Sequence, residues 1–138
     1  MKISTKGRYG LRVVLDLAMN SNGGYVSLTD IAQRQGISLK YLESIISSLK
    51  ASGIVESARG KSGGYRLLKA PEEYSVGDIL KSAEGSLAPV SCLDSEAACP
   101  HAEKCLTLPV WAGLDKVIDD YLESYTLDKV LKRNEKND

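Results

Sequence analysis

The sequence predicts a mainly α chain with one small β-hairpin and a long C-terminal helix. Three observations predict it. Apolar residues recur at three- and four-residue steps behind hydroxyl residues that can cap a helix, at Ser4 or Thr5, Ser27 and Ser38. After Gly53 the period drops to two across "IVESA" and "YRLLK", on either side of the glycine-rich "RGKSGG". From Pro109 onward the helical spacing returns and persists through "VWAGLDKVIDDYLESY". A chain of 138 residues with 43% apolar content suits one soluble domain with an extension.

The first helix is expected to run to about Asn20, with Leu11, Val14, Leu15 and Ala18 on one face, and "SNGG" ends it. Ser27 opens the second, "SLTDIAQRQG", where Asp30 three residues on makes a start like a capping box and Gly36 closes it. Ser38 caps the third, whose buried stripe is Leu42, Ile45, Ile46 and Leu49, with Gly53 as its stop. Two short helices joined through Gly36 have the layout of a helix-turn-helix, and the hairpin after them adds a wing. The fold class is therefore a winged helix-turn-helix plus a long C-terminal dimerisation helix.

Three segments follow from this reading. Residues 1–70 form the winged helix-turn-helix DNA-binding domain. Residues 71–108 hold the acidic linker "APEEY", a short helix capped by Ser75, and a cysteine-rich loop. Residues 109–138 hold the dimerisation helix, a short "TLDKVL" helix and a polar, fraying tail. In the long helix Val110, Leu114, Val117, Tyr121 and Tyr125 form a stripe that Trp111, Ile118 and Leu122 widen. Such a face must be buried, and a second copy of the chain is the expected cover.

A net charge of zero conceals an asymmetry. Residues 1–70 carry an excess of seven basic groups and residues 71–138 an equal acidic excess. A basic half that contains a helix-turn-helix is suited to meeting double-stranded DNA. The N-terminal residues of its second helix would face base edges: Ser38, Lys40, Tyr41, Glu43 and Ser44. Glu43 would accept from a cytosine amino group or repel phosphate at wrong sites. Arg59 at the wing tip would enter a narrow minor groove, and Lys2, Lys6, Arg8 and Lys61 would contact phosphates. A two-fold dimer would match a pseudo-palindromic operator.

All three cysteines and the single histidine lie in "SCLDSEAACPHAEKCL". Cys92, Cys99 and Cys105 lack the tight pairs of structural zinc sites, and wider unequal gaps suit thiolates around an iron–sulfur cluster. An odd cysteine count without an export signal or a membrane-length apolar run suggests a reducing cytoplasm and no membrane association. One histidine, no nucleophile–base pairing and no phosphate-cradling glycine loop argue against an enzyme. A small iron–sulfur carrier or electron-transfer protein is the rival from another class, and it would need neither a wing nor a capped helix pair.

The opening "MKISTKGRYG", the block "DIAQRQGISLKYLESIISSLKASGIVESARGKSGGYRL", "SVGDIL" and the cysteine triplet followed by "CLTLPVW" resemble the IscR-type (Rrf) winged-helix transcription regulators. That family also holds the nitric-oxide sensor NsrR, the iron regulator RirA and the cluster-free cysteine regulator CymR. The resemblance covers nearly the whole chain. It implies a homodimer joined through the long helix and an iron–sulfur cluster, two-iron first and four-iron as the alternative, on Cys92, Cys99 and Cys105. It also implies that Glu43 links cluster state to the choice of site, and that Arg59 is the wing arginine. The function so implied is a cluster-controlled regulator, or repressor, of iron–sulfur cluster biogenesis, with a nitric-oxide or iron sensor of the same fold as the alternative. In IscR-type members proper the resemblance implies a ligating histidine three residues after the last cysteine, where this chain has Leu108; where NsrR-like members use a carboxylate from the first helix of the partner subunit, it has Arg8. His101 is then the first choice of fourth ligand. The other readings are Asp94, Glu96 or Glu103, a small exogenous ligand, or a His101 that is merely a solvated loop residue.

Overall fold

A computed structural model describes residues 3–60, 63–93 and 104–136. In chain order the elements are α1 (Thr5–Asn20), α2 (Leu28–Gln35), α3 (Leu39–Ala51), β1 (Val55–Ala58), β2 (Gly64–Leu67), α4 (Val76–Glu84), α5 (Leu108–Ser124) and α6 (Leu127–Lys136). The mainly helical class and the single antiparallel hairpin are as the sequence predicts.

Local chemistry sets the helix starts. The hydroxyls of Ser4, Ser27, Ser38 and Ser75 each accept a hydrogen bond from the backbone N–H three residues on, satisfying a donor that the first turn would otherwise orphan. At Ser75 the motif is reciprocal, because the Asp78 carboxylate accepts from the Ser75 N–H at 2.9 Å. The stops are equally local. Gly36 (φ 66°) lets the Ile37 N–H reach back to the Ala32 carbonyl at 3.1 Å, and Gly53 (φ 73°) lets the Ile54 N–H reach Leu49 at 3.0 Å.

The expected stripe of α3 is buried as read, all four of Leu42, Ile45, Ile46 and Leu49. The buried face of α1 is shifted from the expected one. Val14 is buried as expected, but Val13 and Leu17 join it with Gly7 and Gly10, whereas Leu11 and Leu15 pack half-buried at the core's edge and Ala18 is half-buried. Helix α1 carries apolar residues on two adjacent flanks, and α4 packing along it selects the flank that includes the small residues.

One apolar core draws on every segment of the chain. Ile31, Val55, Tyr74, Ile79 and Leu127 are all buried in it. The "APEEY" stretch forms a 3-10 turn (Pro71–Glu73), and the Tyr74 hydroxyl donates to the Ile54 carbonyl at 3.2 Å. Thr126 pairs with Ser75 across an antiparallel bridge, with backbone bonds from Val76 to Tyr125 (2.7 Å) and from Leu127 to Tyr74 (3.0 Å). Helix α6 runs on to Lys136, into the polar tail expected to fray, where Lys132, Arg133, Glu135 and Lys136 are good helix formers.

Candidate nucleic-acid interface and cysteine loop

Helix α3 buries its apolar stripe and thereby presents Ser38, Lys40, Glu43 and Ser44 to solvent at its N-terminal end. The Ser38 hydroxyl caps Tyr41, which fixes the start of the helix. Tyr41 is half-buried, its ring edge-on to Tyr9 at 6.1 Å between centroids. Lys6 is half-buried and donates to the Ser48 hydroxyl of α3 at 2.7 Å. This contact anchors α1 to α3 and occupies one of the lysine's three donors. Arg8 is exposed beside Thr5.

The hairpin pairs Val55 with Leu67, Glu56 with Arg66, Ser57 with Tyr65 and Ala58 with Gly64. Arg66 bonds Glu56 at 2.5 Å and lies 4.5 Å above the Tyr25 ring, holding the wing against the loop after α1. Two backbone bonds of 2.8 Å between Val26 and Tyr65 add a third extended segment to the base of the hairpin. Arg59 projects, exposed, just before the tip, where Gly60 has φ 103°. Lys2 and Lys61 lie outside the described residues.

A buried polar network, which the sequence reading missed, stands behind this surface. Asp16 on α1 is 1% exposed and accepts from Arg34 at 2.9 and 2.8 Å and from Gln35 at 2.9 Å. Burial by itself pushes its carboxyl up; the bonds from Arg34 and Gln35, with the Arg34 charge, outweigh this and hold it below the usual carboxylate range. The sequence signal was a lone acid inside the apolar run Leu11–Met19.

Of the cysteine triplet, Cys92 is exposed in a short 3-10 turn (Ser91–Leu93) after α4, and Cys105 is half-buried just ahead of α5. Cys99 and His101, with Asp94, Glu96 and Glu103, lie outside the described residues. Cys105 Sγ is 3.4 Å from Thr107 Oγ1. Hydrogen bonds involving the Thr107 hydroxyl and the Thr107 and Leu108 amides hold its thiol below the usual range. Among the described residues no group of three or more His, Cys, Asp or Glu is placed to hold a metal ion. Two accessible sulfurs flanking the segment that carries the third nevertheless match the donor chemistry of an iron–sulfur cluster.

Helix α5 packs on α4. Its N-terminal part follows the cysteine loop, and Lys81 on α4 pairs with Asp119 (2.5 Å) and Glu123 (3.2 Å) near its other end. Glu123 also accepts from the Ser75 hydroxyl at 2.9 Å. The stripe of Val110, Leu114, Val117, Tyr121 and Tyr125 is exposed along its length.

A capped helix pair joined through Gly36, with a hairpin wing behind it, defines a winged helix-turn-helix DNA-binding protein. The family model described as an iron-dependent transcriptional regulator, Rrf2, matches residues 3–133. The chain belongs to the Rrf2 family of transcription regulators. It is 40% identical to the HTH-type transcriptional regulator IscR of Pectobacterium carotovorum over 98% of this chain and 82% of that one. It is 41% identical to the protein rrf2 of Nitratidesulfovibrio vulgaris over 96% and 88%. Among solved structures it is similar to T. potens IscR (TM-score 0.79, 40% identity, covering 99% of this chain and 90% of that one). It is also similar to CymR, the global cysteine regulator of B. subtilis (TM-score 0.77, 36% identity, covering 96% and 98%). These relatives are regulators and not enzymes. No helix among the described residues is long and apolar enough to cross a membrane.

Proposed function

We propose that this protein is a homodimeric regulator of iron–sulfur cluster biogenesis whose operator binding is set by a cluster on Cys92, Cys99 and Cys105. The observation that carries the reading is the position of the cysteine segment. It joins α4, which packs on α1 of the DNA-binding core, to α5, whose apolar stripe is exposed among the described residues. A change in that segment is therefore felt by both the recognition fold and the dimer contact.

The cluster would supply iron centres whose integrity responds to oxidation and iron supply. The chain supplies the rest. Cys92, Cys99 and Cys105 would hold the cluster, and Leu108 supplies no donor, so His101 is the first candidate for the fourth position. Ser38, Lys40, Tyr41, Glu43 and Ser44 read the major groove of a pseudo-palindromic operator, with Glu43 screening sites by its charge. Arg59 enters the minor groove, and Lys2, Lys6, Arg8 and Lys61 meet phosphates.

The test is Mössbauer and resonance Raman spectroscopy on anaerobically purified protein, with Cys99→Ala and Arg59→Ala beside it. The expected result is a coloured protein with bound iron and sulfide, a spectrum that reports a non-thiolate ligand, no colour in Cys99→Ala, and operator binding weakened by about 1–3 kcal/mol in Arg59→Ala. A colourless protein holding stoichiometric zinc would overturn the cluster, and full operator affinity in Arg59→Ala would remove the wing from recognition.

A further inference from the structure

Arg12 is an exposed cation on α1 with a defined setting. Its Nε donates to Gln35 Oε1 at 3.0 Å, while Gln35 Nε2 donates to Asp16 at 2.9 Å. Both ends of the Gln35 amide are thus used, and its orientation is locked by an acid that is itself buried and held by Arg34. On its other side the Arg12 guanidinium lies 4.8 Å from the centre of the Tyr9 ring, and Tyr9 meets Tyr41 edge-on. Nε is the guanidinium nitrogen with a partner among the described residues, so the terminal nitrogens keep their donors while the plane is fixed from two directions. Arg12 is exposed and stands one aromatic ring away from Tyr41, at the start of the recognition helix.

We infer that Arg12 is a pre-oriented phosphate contact that docks α1 on the DNA backbone beside the recognition helix, and that Gln35 and Tyr9 are its positioning residues. The inference deepens the DNA-binding reading above and rests on it. The physical argument is entropic as well as electrostatic. An arginine on a flexible surface loses side-chain freedom when it grips a phosphate, whereas one already held by an amide and a ring loses little. The contact is to backbone, so it strengthens binding to every sequence alike and positions the base-reading residues.

The experiment measures binding of the full-length protein to a random-sequence duplex and to a selected operator duplex over a salt series. In Arg12→Gln affinity should fall about five- to tenfold on both duplexes, and the slope of log affinity against log salt should become shallower by about 0.9 per protomer engaged, about 1.8 for a dimer. Arg12→Lys should recover the slope and only part of the affinity, because lysine restores charge without the Gln35 bond or the planar stacking. Two results overturn the inference: Arg12→Gln with affinity and slope both unchanged, or weakened binding with an unchanged slope and a lowered melting temperature, which would mark Arg12 as structural. Failure of the wild-type protein to bind either duplex would instead strike the DNA-binding reading itself.

Discussion

Arg34 on α2 grips the buried carboxylate of Asp16 on α1 with two nitrogens, at 2.9 and 2.8 Å. The pair pins the first helix of the helix-turn-helix to the helix beneath it. Arg34 is partly exposed, so its Coulombic contribution is screened; the cost of losing it comes from leaving Asp16 charged and short of donors.

Arg34→Met should therefore lower stability by about 2 kcal/mol, read as a reduced melting temperature. The pair also predicts an acid dependence. The folded Asp16 has a pKa below its unfolded value of about 4, so its stabilisation is complete above that pH. It is lost as pH falls through the folded pKa. Stability measured from neutral to acid pH should show this loss in the wild type and a smaller one in Arg34→Met.

Gly64 and Gly77 both sit against neighbours, with different consequences. A Cβ at Gly64 would overlap the Val26 carbonyl and the Ser27 nitrogen, which are backbone, and φ there is 149°. At Gly77 a Cβ would come within 2.5 Å of Glu123 Oε1, the far end of a side chain that can swing away. Gly64→Ala should cost about 1–3 kcal/mol in denaturant unfolding and loosen the wing, and Gly77→Ala should cost less. Equal costs would show that Val26 does not hold the hairpin in solution.

Val117 is 64% exposed at the middle of the α5 stripe. If a second copy covers that stripe, Val117→Glu places an unpaired charge in the contact, and sedimentation should show monomers where the wild type sediments as a dimer. A wild-type protein that is already monomeric at micromolar concentration would remove α5 as the dimer helix.

Leu108 stands at the first position of α5, where the resemblance to IscR-type members implies a ligating histidine. Leu108→His should slow the loss of iron to a chelator, followed by the decay of visible absorbance. An unchanged rate would mean that the fourth ligand is already supplied strongly from within this chain.

Much of the fold was legible because its signals are local. Ser4, Ser27, Ser38 and Ser75 cap helices through bonds to residues three positions on, and Gly36 and Gly53 end them through their own backbone angles. The hairpin and the α3 stripe were legible for the same reason, since a period of two or of three to four states which side faces in when one flank alone is apolar. The exposed residues Ser38, Lys40, Glu43 and Ser44 followed from the stripe opposite them, whereas Tyr41 is half-buried against Tyr9.

Tertiary structure alone decided the rest. Helix α1 has two apolar flanks, and only its packing against α4, β2, α2 and α3 brought Val13 and Leu17 beside Val14 on the core face. Leu127 enters the core because the Thr126–Ser75 bridge brings a distant segment beside Tyr74. The ordered chain from Asp16 through Gln35 and Arg12 to Tyr9 and Tyr41 joins three helices, and no spacing in one helix encodes it. The sequence by itself determined which residues could cap, turn and bury. Only the three-dimensional arrangement decided which charges meet, because that depends on contacts between residues far apart in the chain.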